Sequence, residues 1–169
     1  MYESSRVDAL YCCAQGFSNE VCPESLAEEA ELRSIFGSTE EEVLSQLVEA
    51  ELQGWPVWVH WRMAPAVQRV NERLKEVSYQ IYEPVDCFFW SEIPGTGVLS
   101  RHSFGIALDI NPSSNPCCGV TQSCGCYNDL ITDMPADFVQ AFTSEGFEWG
   151  GDWRDHPDPM HFEWTGWRQ

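Results

Sequence analysis

The chain has 169 residues, 43% of them hydrophobic and 13% aromatic, a composition that buries enough apolar surface to fold and excludes a disordered chain. It carries 27 acidic against 9 basic residues, and the net charge of −18 argues against nucleic acid and anionic lipid surfaces as partners, because both would be repelled. No stretch approaches the roughly 18 apolar residues that cross a bilayer, so we expect no membrane insertion.

Eight cysteines form an even set that could close four disulfides. Such pairing is typical of an oxidising compartment, so we expect a secreted or periplasmic protein. The alternative, a second metal site on the cysteines of residues 117–126, is disfavoured because these cysteines lie closer together than the two pairs of a structural zinc site. The first residues, 1–6, lack the basic and apolar regions of a secretory signal, so we expect a leader to have been removed.

Two helices are predicted in the front of the chain. Residues 1–23 form an irregular, cysteine-containing arm, and the first helix spans residues 24–36. Ser38 and Glu41 form a capping box for the second helix. Its valines and leucines repeat at helical spacing until Gly54 ends it.

The acidic charge concentrates in this front part. Nine glutamates lie between Glu24 and Glu51 against a single base. We interpret this charge as a solvated surface without a binding role. Residues 1–55 are therefore predicted to be an extension packed on a body of residues 56–169, within one globular unit that is monomeric.

The rest of the chain alternates extended segments with helices. A helix over residues 62–80 is the most regular, because its apolar residues keep the 3.6-residue period. The other predicted elements are strands over 55–61, 81–90 and 104–110, a long loop over 111–133, a helix over 134–144, and strands over 147–149 and 160–164. Helices at the front and strands behind them predict an α+β domain, in which a small antiparallel sheet packs against helices.

His102 and Asp109 lie at the two ends of a short apolar segment. Alternation along the strand places Asp109 on the same face as Gly105 and Ala107, where small neighbours leave room. The same alternation would turn His102 towards the core. We therefore predict a bend between the two residues, at Ser103 and Gly105.

A second polar pair follows 52 residues later. His161 and Glu163 share the polar face of the 160–164 strand, so His161 points towards the strand that carries Asp109. Asp158 lies between two prolines, which hold it extended. Two histidines and one aspartate leave the fourth position of a zinc ion open, as in catalytic sites, and Asp158 suits a base that reaches the water there.

The residues alone leave an alternative open, because histidines and aspartates also lie near one another in sequence without binding a metal. His60 is interpreted as a core or edge residue of the aromatic strand. His156 is interpreted as a loop residue that does not bind the metal.

Three motifs, in this order, resemble the family of D-alanyl-D-alanine carboxypeptidases and L-alanyl-D-glutamate endopeptidases, zinc enzymes that cleave peptidoglycan. The resemblance covers about residues 57 to 165 and implies a fold shared with the hedgehog signalling domain. The motifs are Ser100-x-His102-x-x-Gly105-x-Ala107-x-Asp109-Ile110-Asn111-Pro112, Gly146-Phe147-x-Trp149-Gly150-Gly151-Asp152-Trp153 and Asp158-Pro159-Met160-His161-Phe162-Glu163.

The resemblance implies roles for individual residues. His102, Asp109 and His161 match the ligands of one zinc ion, and Asp158 matches the general base. Ser100 matches a position that supports the ligand loop and contacts substrate.

Other substrate contacts are less directly matched. Trp149 and Trp153 would wall the groove or simply cover the core. The family's arginine, which helps bind the substrate carbonyl, is missing from residues 89–95. Arg101 or Arg62 could replace it, and Arg101 is the one we expect to contact substrate.

The expected function is hydrolysis of amide bonds in peptidoglycan stem peptides. Because bases are scarce near the motifs, an L-Ala-D-Glu endopeptidase is favoured over a D-Ala-D-Ala carboxypeptidase, whose substrate carboxylate needs a nearby cation. The alternative is a zinc-containing binding module that has lost catalysis. The missing arginine favours this alternative. A disulfide-rich domain without metal is disfavoured by the three ordered motifs.

Overall fold

The computed structural model describes residues 23–93, 96–117, 130–153 and 157–168 of the chain. Within them the elements are helix α1 (Pro23–Phe36), helix α2 (Glu40–Leu44), strands β1 (Leu47–Leu52) and β2 (Trp55–His60), helix α3 (Ala64–Leu74), a 3₁₀ turn (Arg101–Phe104), strand β3 (Ala107–Asp109), helix α4 (Ala136–Thr143), strand β4 (Phe147–Trp149), a 3₁₀ turn (Gly150–Asp152), strand β5 (His161–Trp164) and a last 3₁₀ turn (Gly166–Arg168). Helices combined with two small antiparallel sheets confirm the α+β prediction.

The first sheet is a hairpin of β1 and β2, in a region where the sequence predicts helix up to Gly54. Residues 47–52 pair antiparallel with residues 55–60. Gln53 and Gly54 both have positive φ angles, 48° and 87°, as in the two-residue turns that match the twist of a hairpin. The helix prediction over 47–52 is therefore wrong, because pairing with the aromatic strand overrides the helical spacing of the apolar residues. The hairpin includes residues on both sides of the predicted boundary between the extension (residues 1–55) and the body (residues 56–169).

The N-cap residue of helix α2 is Thr39, one residue after the predicted N-cap Ser38. The Thr39 side chain accepts a hydrogen bond from the Glu42 N–H at 3.2 Å, and the Glu42 carboxylate accepts one from the Ser38 N–H at 2.7 Å. The reciprocal capping is therefore shifted by one residue from the predicted pair. The bond to Thr39 satisfies one of the N–H groups that the first turn of a helix leaves without partners.

Two predictions for the middle of the chain need correction. Helix α3 is shorter than the predicted range of residues 62–80, although its buried face of Ala66, Val67, Val70 and Leu74 is the predicted one. Residues 81–90 form no strand, and contact the sheet through an isolated bridge between Asp86 and Asp109. Among the described helices, none has the length and apolarity to cross a membrane.

The second sheet has the strand order β3-β5-β4, and both pairs are antiparallel. Asp109 of β3 lies directly opposite His161 of β5, and Ala107 lies opposite Glu163. On the other side of β5, Glu148 lies opposite Glu163. One face of the sheet is thus polar, and two of the predicted metal ligands are cross-strand partners on it.

The other face of this sheet packs on the core. Leu108 and Phe162 point to it, and the Phe162 ring stacks on Phe142 of α4 with centroids 4.3 Å apart. Burial of such side chains is the main favourable term in folding. The largest fully buried side chains are Phe36, Phe104, Phe138, Phe142, Phe162, Leu32, Leu52, Met63, Leu74, Ile106, Leu108 and Ile110.

The predicted bend before β3 is present, although it is a 3₁₀ turn rather than a bulge within a longer strand. Gly105 ends the turn with a φ of +64°, a conformation that favours glycine. A Cβ atom at residue 105 would lie 2.7 Å from Leu47 Cδ2 and 3.1 Å from the backbone nitrogen of His60. The turn therefore packs closely against the hairpin.

Asn111 ties the segment after α3 to the end of β3. Its side chain is buried, its φ is +46°, and its Oδ1 accepts the N–H groups of Tyr82 and Glu83 at 2.9 and 3.2 Å. Its amide donates to the hydroxyl of Tyr79 at 3.0 Å. These bonds fix the backbone at the start of the segment 81–90, and this segment contains Cys87 and Phe89.

Cys87 is a buried free thiol. Burial, followed by the nearby charge of Asp109, raises the pKa of this thiol, because both disfavour the thiolate. The prediction that all eight cysteines pair in four disulfides is therefore wrong for this residue. Disulfides among the remaining cysteines stay a prediction, since most of them lie outside the described residues.

His60 is a buried core residue, in agreement with its interpretation from the sequence. Its Nδ1 accepts the N–H of Arg62 at 3.2 Å, its Nε2 lies 3.2 Å from Gln46 Oε1, and its ring meets Phe36 edge-on. These contacts suit a neutral imidazole protonated on Nε2. Burial, and then the charge of Arg62, lower the pKa of His60 to about 4.

This shift predicts a loss of stability in mild acid. Because the folded pKa is about 4 and the unfolded value is 6.5, stability is complete above pH 6.5 and falls as the pH drops towards 4. At pH 5 the expected loss is about 2 kcal/mol in the free energy of unfolding. Urea unfolding at pH 7 and pH 5 measures it, with His60→Gln as the comparison. An unchanged pH dependence in that variant would contradict the prediction.

Candidate metal and catalytic site

Three side chains that are far apart in sequence converge on the polar face of the second sheet. His102 Nε2 lies 3.2 Å from His161 Nδ1 and 3.4 Å from Asp109 Oδ1. His161 Nδ1 lies 3.2 Å from Asp109 Oδ1. Among the described residues these three form the group of His, Cys, Asp or Glu side chains that could hold a metal ion. The structure thus brings the predicted ligands together.

The separations fit a zinc ion. Zinc bonds of about 2.0–2.1 Å in a tetrahedron place neighbouring ligand atoms about 3.3 Å apart. The three observed separations, 3.2, 3.2 and 3.4 Å, agree with that value. Two imidazoles and one carboxylate are also a ligand set that zinc accepts at catalytic sites, with a fourth position left for water or substrate.

The 3₁₀ turn aims His102 at this point. Ser100 caps the turn, and its hydroxyl accepts the N–H of His102 at 3.3 Å. His102 Nδ1 lies 2.6 Å from the carbonyl oxygen of Cys87, to which it donates, so Nε2 is left as the acceptor that faces the other ligands. Phe89 stacks on the imidazole with ring centroids 4.2 Å apart.

Asp109 is the charged centre of the group. Burial alone would raise its pKa, but the contacts with the His102 and His161 imidazoles outweigh burial and hold the pKa of Asp109 well below its usual range. The carboxylate therefore stays ionised, as a metal ligand must.

His161 is held from its far side. Nε2 lies 3.6 Å from the carboxylate of Glu163, which stands two residues along on the same face of β5. Burial alone would lower the pKa of His161, but contacts with Asp109 and Glu163 outweigh it and raise the pKa to about 10. A carboxylate behind a histidine ligand fixes the ring and leaves the other nitrogen facing the metal position.

Asp158 lies beside this group on the loop before β5. Its backbone N–H donates to the Gly150 carbonyl at 2.8 Å, and its carbonyl accepts the His161 N–H at 3.0 Å. A Cβ atom on Gly150 would lie 2.5 Å from the Asp158 carbonyl oxygen, so the two segments meet only because residue 150 is glycine. The loop therefore fixes Asp158 relative to His161.

The Asp158 carboxylate has the features of a base. Within the described part of the chain, its Oδ1 is buried without a hydrogen-bond partner. Burial, the largest effect, raises the pKa of Asp158 to about 6, although the charges of His161 and His102 oppose it. A buried, unpaired carboxylate oxygen is costly to keep and is available to accept a proton near neutral pH.

The two tryptophans of the second motif have different surroundings. Trp149 donates from Nε1 to the Pro159 carbonyl at 2.8 Å and stacks on Phe162, so it braces the loop of Asp158 against the core. The Trp153 ring lies 5.3 Å from the ring of His161, beside the three ligands. Of the two, Trp153 is therefore the one whose ring contacts a candidate ligand.

Arg101 is paired with two carboxylates. Its guanidinium contacts Glu28 at 2.8 Å and Glu163 at 3.8 Å, and the side chain is mostly buried. Arg62 lies over the Trp61 ring at 4.8 Å. His156 lies outside the described residues.

Two parts of the site are not predicted from the sequence, and the full role of a third is not. The Cys87 carbonyl is a backbone group, which no side-chain pattern reveals. Phe89 covers His102 from a segment predicted only as a strand. Glu163 is recognisable from its i+2 spacing to His161 on one strand face, but its contact with Arg101 depends on the tertiary structure.

Residues 94–164 match the family model described as D-alanyl-D-alanine carboxypeptidase. The match confirms the resemblance that the motifs indicate, and it contains His102, Asp109, His161 and Asp158. Helices α1 to α3 and the hairpin precede the matched segment. No solved structure matches the chain significantly.

Proposed function

We propose, from the match of residues 94–164 to the D-alanyl-D-alanine carboxypeptidase family, that this protein is a zinc peptidase that hydrolyses amide bonds in peptidoglycan stem peptides. The observation that carries the proposal is the group of three ligand atoms within 3.2–3.4 Å of one another. The buried, unpaired Oδ1 of Asp158 lies on the neighbouring loop. One zinc ion, held by His102, Asp109 and His161, fits this arrangement.

A zinc ion held by His102, Asp109 and His161 would supply an activated water and polarise the scissile carbonyl. Asp158 Oδ1 accepts the proton from the attacking water and passes it to the leaving nitrogen, since its pKa of about 6 lets it carry a proton transiently near neutral pH. Cys87 and Glu163 orient the two imidazoles through their far nitrogens. Trp153 walls the position that the peptide occupies.

Among the two peptide bonds, we favour the L-Ala-D-Glu bond over the terminal D-Ala-D-Ala bond. A carboxypeptidase needs a cation for the terminal carboxylate of its substrate. The described arginines that lie behind the ligands, Arg101 and Arg168, are both paired with Glu28. Arg154 is close to the site in sequence but lies outside the described residues.

A zinc-containing binding module without catalysis is the second candidate. The absence of an arginine from residues 89–95 favours it, because the family uses one to bind the substrate carbonyl. Asp158 disfavours it, since a binding module has no use for an unpaired buried carboxylate next to the ligands. We accordingly propose an active enzyme, secreted or periplasmic and monomeric.

The test is hydrolysis of defined muropeptides by the zinc-loaded protein, followed by mass spectrometry. One substrate ends in D-Ala-D-Ala, and a second, tripeptide stem offers the L-Ala-D-Glu bond but no D-Ala. We expect cleavage of the second between L-Ala and D-Glu. Release of D-Ala from the D-Ala-D-Ala substrate, without cleavage of the tripeptide stem, would reverse our choice of bond. Zinc binding without turnover of either substrate would establish the binding module.

A further inference from the structure

We propose that Glu28, on helix α1, is a positioning residue for the metal ligand His161 and acts through Arg101 and Glu163. The inference rests on the metal site of the proposed function. Glu28 precedes the segment that matches the family, so this part of the site is supplied by the N-terminal extension of the chain.

The contacts form a chain from the helix to the ligand. Glu28 Oε1 forms an ion pair with Arg101 Nη2 at 2.8 Å and also pairs with Arg168. The Nε of Arg101 lies 3.8 Å from Glu163 Oε2. The same carboxylate oxygen of Glu163 lies 3.6 Å from His161 Nε2. Each step joins opposite charges, and all the side chains concerned are at least three-quarters buried.

Glu163 needs this support because its own surroundings are unfavourable. The residue opposite it on β3 is Ala107, which offers no partner, and the residue opposite it on β4 is Glu148, which carries the same charge. Like charges directly opposite on neighbouring strands repel. A buried carboxylate in that position requires a cation, and Arg101 supplies it.

Arg101 in turn is placed by Glu28. Its long side chain loses conformational freedom when it is held in one position, and a carboxylate that binds the guanidinium supplies the energy to hold it there. Without Glu28, Arg101 is free to move away from Glu163 and leave that carboxylate without its cation.

The neighbouring residue of α1 contacts the same segment independently. Glu29 is buried, and its Oε2 accepts the backbone N–H of Leu99 at 3.0 Å. Arg33 holds the Glu29 carboxylate from the other side at 2.7 Å. Two consecutive glutamates of α1 therefore fix residues 99 and 101, immediately before His102. The interpretation of the acidic region as solvated surface is wrong for both.

The test measures the zinc affinity of the apoprotein by competition with a chromophoric chelator, for wild type, Glu28→Gln, Glu163→Gln and the double variant. Loss of a carboxylate behind a histidine ligand costs about 10- to 100-fold in metal affinity, and we expect that range for Glu163→Gln and about tenfold for Glu28→Gln. Because both act along one path, the double variant should bind no more weakly than Glu163→Gln. Glu31→Gln, an exposed position on the same helix, serves as the control with unchanged affinity.

Zinc affinity of Glu28→Gln equal to that of wild type would overturn the inference. Losses that simply add in the double variant would also overturn it, since a general structural role of α1 predicts additivity. If Glu28→Gln does not fold, Arg101→Lys replaces it in the same comparison, because lysine keeps the charge but not the geometry that reaches both carboxylates. A wild-type protein that binds no zinc would instead contradict the proposed function itself.

Discussion

Replacing Asp158 by asparagine should lower the turnover number on the cleaved muropeptide by about 10²–10⁴-fold, the range that a positioned general base contributes. Asparagine keeps the size of the side chain but cannot accept the proton. Zinc content should stay at that of wild type, because Asp158 is not one of the three converging ligands. Steady-state kinetics together with metal analysis of the purified variant measure both quantities.

Asp152→Asn is the matched control for this variant. Asp152 lies on the same loop system, in the 3₁₀ turn that includes Gly150, but its side chain is exposed. Its activity should stay close to that of wild type. Full activity of Asp158→Asn would show that another group accepts the proton, and loss of zinc from that variant would show that Asp158 holds the metal.

Removal of zinc should both abolish activity and destabilise the fold. A ligand that binds only the folded state adds about 4 kcal/mol to the free energy of unfolding at 1,000 times its Kd. The three candidate ligands already lie within 3.4 Å of one another, so zinc binding needs little rearrangement of the folded protein. Urea unfolding with chelator and after return of zinc measures the difference.

Asp109→Asn should lose the response to zinc, because an amide is a poor zinc ligand compared with a carboxylate. Asp86→Asn is the control and should keep the response to zinc. Asp86 forms an isolated backbone bridge with Asp109, but its own side chain is exposed. Unfolding that is independent of zinc in the wild-type protein would contradict the metal site. A full zinc response in Asp109→Asn would remove this residue from the ligand set.

The sequence predicts the convergence of His102, Asp109 and His161 because the local patterns around them are strong. Alternation in β5 separates His161 and Glu163 from the apolar residues, and the structure has that division. The bend before Asp109 follows from the same alternation, and Gly105 marks its place with a φ of +64°. In both cases a short-range rule determines the direction of a side chain.

The errors arise where long-range contacts decide the structure. The apolar residues of β1 have spacing that suits a helix, yet pairing with β2 makes the segment a strand. From the sequence, Gly54 is predicted to end a helix, but in the structure it is part of a hairpin turn. Glu28 looks like one of many surface acids, and only the packing of α1 against residues 99–101 reveals its partner.

The direct pairing of Asp109 with His161 across β3 and β5 has a consequence for how this protein tolerates change. The distance between these two ligands is set by strand register, so the 51 residues between them in the chain need only return β5 to the same alignment. Changes in the length of the chain between β3 and β5 that leave this register intact should therefore preserve the separation of the Asp109 carboxylate and the His161 imidazole.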